Sequence, residues 1–286
     1  MRLAWSTLAC PDWTLDAVAA FTSRSGFDAA ELRTFGPGDG QLACEPFLTG
    51  PSKLAEVFAS EGAAVAGLAT SARFDDPIWP PIVGRVFTDL ERGVRETQRA
   101  IDLADDIGAG YVRVFGFEVP AHETRRRAIK RLGDLIARAV DRADKRGVRV
   151  VVENGGDFRE AEALEALLDR ADHPLVRACY HAAVGAQAGD NIASAMRRLG
   201  SKLDIVRLTD TRGDRPCALG EGESSARETV EAAQAVGFDG TLVYEYPAMW
   251  FEARGDVEPV LSSAAETIYG WLAPASSAAA PEAAAV

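Results

Sequence analysis

The chain has 286 residues, with 31 Lys and Arg against 43 Asp and Glu, a formal charge of −12 at pH 7, and 47% hydrophobic residues. That length and apolar content suit one large α/β domain with a sizeable core. The acidic balance argues against nucleic acid or an anionic membrane surface as the main partner, because both draw affinity from basic residues, and it points to a small molecule.

Four cysteines, Cys10, Cys44, Cys179 and Cys217, are widely spread without a C-x-x-C pair, a pattern of reduced thiols rather than a disulfide framework. The opening Met1-Arg2-Leu3-Ala4-Trp5-Ser6-Thr7 is too short an apolar run for a signal peptide. No stretch approaches the roughly 20 apolar residues of a membrane span. The expectation is a cytoplasmic protein, with a homo-oligomer left open.

From residue 1 to 273, short β-branched runs alternate with longer segments of helical period. The predicted strands are Leu3 to Leu8, Ala29 to Arg33, Ala64 to Ala69, Tyr111 to Phe115, Val148 to Glu153, Val176 to His181, Ile205 to Asp210 and Thr241 to Glu245. Each is short and mostly apolar, as parallel strands covered on both faces require. Helices are best marked from Leu90 to Ile107, Glu123 to Arg146 and Ser225 to Val236. In the first, Leu90, Val94, Thr97, Ile101 and Ala104 recur at steps of three and four, giving one apolar stripe.

A glycine follows several helices just before the next strand, at Gly26, Gly62, Gly108, Gly147 and Gly237, where a left-handed residue closes the helix without steric cost. One βα unit repeated eight times, without a Gly-x-Gly-x-x-Gly turn or a phosphate-cradling loop, predicts an α/β fold closed into a (β/α)₈ TIM barrel over residues 1–273. Residues 274–286, rich in Ala, Ser and Pro, read as a disordered tail. The stretches from Gly36 to Gly50 and from Asp75 to Pro81 read as loops over one barrel end.

A parallel barrel builds its active site from the C-terminal ends of its strands. Those ends hold Glu31 and Arg33, Arg113, Glu153 and Asn154, His181, Arg207 with Asp210, and Glu245. In Val150-Val151-Val152-Glu153 and Leu242-Val243-Tyr244-Glu245 a carboxylate follows a buried run. A buried carboxylate is costly unless paired or coordinated, so two at one barrel end suggest a shared cation or a substrate. The alternative is that each caps a helix or pairs with a neighbour.

The stretch Leu219-Gly220-Glu221-Gly222-Glu223, a helix, then Gly237-Phe238-Asp239-Gly240-Thr241-Leu242-Val243-Tyr244-Glu245, with Val152-Glu153-Asn154 and Ser6-Thr7-Leu8, resembles the xylose-isomerase-like barrel family. That family includes tagatose and psicose epimerases, hydroxypyruvate isomerase and inosose dehydratase. The resemblance implies a divalent metal (Mn²⁺, Mg²⁺ or Zn²⁺) held by Glu, Asp, His and Glu from strands five to eight, with the two glutamates moving protons on a keto sugar.

Glu153 and Glu245 match the two glutamate positions and are the candidate catalytic pair. Where the family has Asp, this chain has His181; where it has the His of a His-x-Lys-Asp motif, this chain reads Arg207-Leu208-Thr209-Asp210. Imidazole can still ligate, which leaves Glu153, His181 and Glu245 as a metal set. A guanidinium cannot. Three readings stand open: a three-ligand metal site, no metal with Arg207 supplying the charge, or a non-catalytic barrel in which Arg207 only pairs with Glu153 or Glu245.

Candidate substrate-binding residues are Glu31, Arg113, Arg207 and Arg212. Arg113 has an ion-pair alternative with Glu31 or Glu153, and Arg212 the alternative of a solvated loop charge. His122 and His173 read as surface residues. The expectation is a sugar, sugar-phosphate or keto-polyol isomerase or epimerase working through an enediolate. The alternatives are a dehydratase on a keto-polyol and a sugar-binding barrel without catalysis. The related abasic-site endonucleases, which need several histidines and a DNA-binding face, are set aside with three His in the chain.

Overall fold

The computed structural model describes residues 1–35, 43–75, 89, 91–144, 146–251 and 256–273. Eight parallel strands close into a barrel: β1 (Arg2–Ser6), β2 (Ala29–Arg33), β3 (Val65–Ala69), β4 (Tyr111–Val114), β5 (Arg149–Glu153), β6 (Val176–His181), β7 (Leu203–Leu208) and, after a small hairpin β8 (Thr211–Arg212) and β9 (Arg215–Pro216), β10 (Thr241–Tyr244). Around it lie α1 (Leu15–Arg24), α2 (Pro51–Ser60), α3 (Arg92–Asp106), α4 (Arg125–Val140), α5 (Ala161–Ala171), α6 (Ala182–Gln187), α7 (Ile192–Leu199), α8 (Ala226–Ala235) and α9 (Glu258–Leu272).

All eight expected barrel strands are present, β2 and β6 with the expected bounds and the other six with shifted ends. Thr7 and Leu8 leave β1 for a 3₁₀ turn over Thr7–Ala9, because the Ser6 hydroxyl accepts the Leu8 N–H and bends the chain. β7 ends at Leu208 and not Asp210, whose carboxylate is drawn into a loop. The third predicted helix, Ser225 to Val236, is observed as Ala226–Ala235, and the second stops at Val140 rather than Arg146. Gly26, Gly62, Gly108, Gly147 and Gly237 all adopt positive φ, from 65° to 81°. The tail 274–286, Leu90, residues 36–42 of the first expected mouth loop and residues 76–81 of the second fall outside the described residues.

The barrel interior is layered by the two-residue period of the strands. One apolar layer takes a single residue from each strand: Ala4, Ala29, Ala66, Tyr111, Val151, Cys179, Ile205 and Val243. Tyr111 is the large member, and β3 makes room for it. A Cβ on Gly67 would land inside the Tyr111 ring. Two residues further along six of these strands the chain reads Glu31, Arg113, Glu153, His181, Arg207 and Glu245. The apolar layer is thus the floor of a charged layer at the C-terminal mouth.

Candidate active site at the barrel mouth

Arg207, on β7, is the centre of the charged layer, and its side chain is wholly buried. Its Nη1 donates to Glu245 Oε2 at 2.6 Å, and its Nη2 to Glu31 Oε1 and Oε2 at 3.0 and 2.9 Å. Its Nε lies 3.1 Å from Glu153 Oε2, an ion-pair contact without hydrogen-bond alignment. Burial works against the charge, but Glu31, Glu153 and Glu245 outweigh it and hold the guanidinium protonated, its pKa well above the ordinary value. Glu31 is equally buried and takes a further bond from the Tyr111 hydroxyl at 2.9 Å. It therefore lies beneath the mouth as the counter-ion of Arg207.

Glu153 and Glu245 are more open, with 10% and 14% of their side-chain surface exposed. Burial raises the Glu153 pKa, yet Arg113 and Arg207, with His181 and Arg33, pull it down to about 2. Glu153 stays ionised and is a weak proton acceptor. The Cys179 thiol, one layer below, lies 3.8 Å from its Oε2. Glu245 is held through Oε2 alone; among the described residues Oε1 has no partner.

His181 stands at the end of β6. Asn154 fixes its backbone by accepting the His181 N–H at 2.6 Å and donating to the His181 carbonyl at 3.3 Å. The enclosed Nδ1 has no hydrogen-bond partner. Burial lowers its pKa, and Arg207 and Arg113 add to that against Glu153 and Glu245, so the ring is neutral near pH 7.

Arg113 completes the layer on the opposite side, and Arg33 lies one step of two beyond Glu31 along β2. Arg113, 2% exposed, sits over Phe115 at 4.2 Å and reaches Glu153 at 3.3 Å. Arg33 donates to the Ala69 carbonyl and the Ser71 hydroxyl, both at 2.9 Å.

The expected metal set does not form. Among the described residues no group of three or more His, Cys, Asp or Glu is placed to hold a metal ion, and the buried guanidinium of Arg207 lies between the carboxylates that would serve. Guanidinium and dication repel one another where they share the same carboxylates. These residues do not fit a divalent ion.

Arg212, expected at the substrate, is exposed on the hairpin and donates to the Glu221 carbonyl. Asp210 proves structural: its carboxylate accepts the N–H groups of Thr211, Gly220, Gly222 and Ser224. That explains the Gly-Glu-Gly stretch, because a Cβ at Gly222 would strike Asp210. His122 is exposed, whereas His173 is partly buried and reaches Asp144 at 3.3 Å.

Tyr111 below the layer and Phe115 above it contact the layer's Glu31 and Arg113, although sequence reasoning gave neither a role at the site. Their signal was the step of two from Arg113 along β4. A cavity of about 320 Å³ beside this layer is lined by Thr34, Glu45, Phe47, Ser71 and Arg99 among others and includes none of the three clustered glutamates.

The sequence matches the family described as xylose isomerase-like TIM barrel over residues 19–270. No curated protein matches it. Among solved structures, L-ribulose 3-epimerase is 19% identical with a TM-score of 0.76, covering 95% of this chain and 94% of the other. D-psicose 3-epimerase from Clostridium cellulolyticum H10, solved with D-tagatose, is 14% identical with a TM-score of 0.72, covering 95% and 98%. The IolI protein, solved with a zinc atom, is 18% identical with a TM-score of 0.74, covering 95% and 98%. At these identities the likeness shows the shared fold.

Proposed function

The chain belongs to the xylose isomerase-like TIM barrel family, and from that premise we propose that it is an enzyme that isomerises or epimerises a small polyhydroxy carbonyl compound, moving the proton beside the carbonyl through an enediolate. The observation that carries this reading is the pair Glu153 and Glu245, two carboxylates from different strands held on one buried guanidinium at the mouth.

The pair is unequal. Glu153, its pKa pulled down to about 2, remains an anion that orients its neighbours. Glu245, the more open of the two and free at Oε1, takes the proton from carbon and returns it. Neutral His181, half-buried at the end of β6, receives or delivers a proton at the substrate oxygens. General acid–base groups of this kind contribute about 10²–10⁴-fold to rate. Arg207 holds the carboxylates in place, and no step is routed through a metal because the donor set does not fit one.

The test is deuterium incorporation from D₂O into a panel of keto sugars and keto-polyols, followed by NMR. Exchange beside the carbonyl is expected, with a loss of about 10²–10⁴-fold in Glu245→Gln and an unchanged fold by circular dichroism. Elimination of water in place of exchange would mark the dehydratase reading. Exchange at the parent rate in Glu245→Gln would remove Glu245 from the mechanism.

A further inference from the structure

We infer that the β2–β4 side of the mouth is an oxyanion subsite, in which Arg33 and Arg113, flanking Phe115, clasp a carboxylate or phosphate group carried by the substrate. The inference deepens the proposed function by naming the substrate class, an acidic or phosphorylated polyhydroxy carbonyl compound.

The two guanidiniums share one aromatic ring, with their central carbons 5.2 and 4.2 Å from the Phe115 centroid. Both are buried, at 5% and 2% exposure. Yet among the described residues neither is matched by a carboxylate of its own. Arg33 donates only to neutral oxygens, those of Ala69 and Ser71, and has no carboxylate within 4 Å among the described residues. The Arg113 guanidinium donates no hydrogen bond among the described residues; its Nε is enclosed and unpartnered. Its one ion pair, with Glu153 at 3.3 Å, is to a carboxylate that Arg207 also claims at 3.1 Å.

Burying an ion without full pairing is costly, and a second like charge alongside adds to the cost. The Arg33 pKa is lowered accordingly, first by burial and then by Arg113. The group that relieves both is an anion with two or more acceptor oxygens, since the planar guanidinium fork matches carboxylate and phosphate. Arg113 also touches Glu153, so the anion would lie one residue away from the proton-transfer pair.

The experiment is thermal melting of the full chain at fixed ionic strength, set with KCl, in the presence of D-gluconate, inorganic phosphate or the neutral polyol D-glucitol. Gluconate or phosphate is expected to raise the parent Tm by roughly 2–4 °C when present well above its Kd, with no rise from glucitol. A rise with gluconate alone identifies a carboxylate site, and a rise with phosphate alone a phosphate site. Arg33→Met and Arg113→Met should melt no lower than the parent and lose the anion response. An absent anion response in the parent, or one that persists in both variants, overturns the subsite. Because melting reads binding and not turnover, missing proton exchange with an intact anion response would sink the catalytic reading alone.

Discussion

The two sides of the barrel mouth carry the same residue type under opposite conditions. On the β7–β10 side, Arg207 is buried and saturated, with Glu31, Glu153 and Glu245 around one guanidinium. On the β2–β4 side, Arg33 and Arg113 are nearly as buried, but among the described residues Arg113 reaches only Glu153, which Arg207 also contacts, and Arg33 reaches no carboxylate. A saturated buried charge is part of the frame, because its partners come from the same chain. An under-paired one asks for a partner from outside. Counting Arg33 just beyond the layer, three arginines face three glutamates, balanced in number, while the β2–β4 side is left under-paired among the described residues.

Substitution at the two kinds of arginine should break this comparison most visibly. Arg207→Met leaves three carboxylates converging on an apolar side chain, and should cost about 3–5 kcal/mol, the usual penalty for stranding buried charge. Arg113→Met removes a poorly paired charge and should be neutral or stabilising. Urea denaturation of both variants reads the contrast, and equal losses would mean that both arginines belong to the frame.

A smaller effect is expected one layer below. Gly67→Ala pushes a methyl group into the Tyr111 ring and should cost about 1–3 kcal/mol by overpacking, while displacing the hydroxyl that bonds Glu31. A stable Gly67→Ala protein with Tyr111 unmoved in a crystal structure would show that the floor does not set the position of the charged layer.

The pH dependence sharpens the same point. Glu153 has a folded pKa pulled down to about 2, below the roughly 4.3 of an exposed glutamate. Its contribution to stability is complete above about pH 4.3 and is lost as pH falls toward 2. Urea midpoints at pH 6 and pH 3 should converge more in Glu153→Gln than in the parent. An identical pH dependence in the two proteins would place the acid-sensitive charge elsewhere. Arg212→Ala, at an exposed loop position, should change stability by no more than about 0.5 kcal/mol.

Much of the barrel was legible in sequence because strand and helix periods and closing glycines are local signals. The strand ends at β1 and β7 were less so, since the chain leaves the ladder after Ser6 and after Leu208, where the Ser6 and Asp210 side chains accept backbone N–H groups. At the site, the layer residues could be named from their strand-end positions. Their pairing could not, because Glu31 and Arg207 are 176 positions apart and meet only when the barrel closes. That contact turns Glu31 from an expected substrate ligand into a buried counter-ion. The under-pairing of Arg33 was likewise invisible, since it depends on which oxygens of β3 and its following loop lie within reach.

The central claim is that Arg207 provides the positive charge between the mouth carboxylates and that these residues are not a metal cradle. Calorimetric titration of the chelator-treated parent with Mn²⁺ tests this most directly. The account predicts no stoichiometric binding; one tightly bound equivalent, lost in Glu153→Gln or Glu245→Gln, would contradict it.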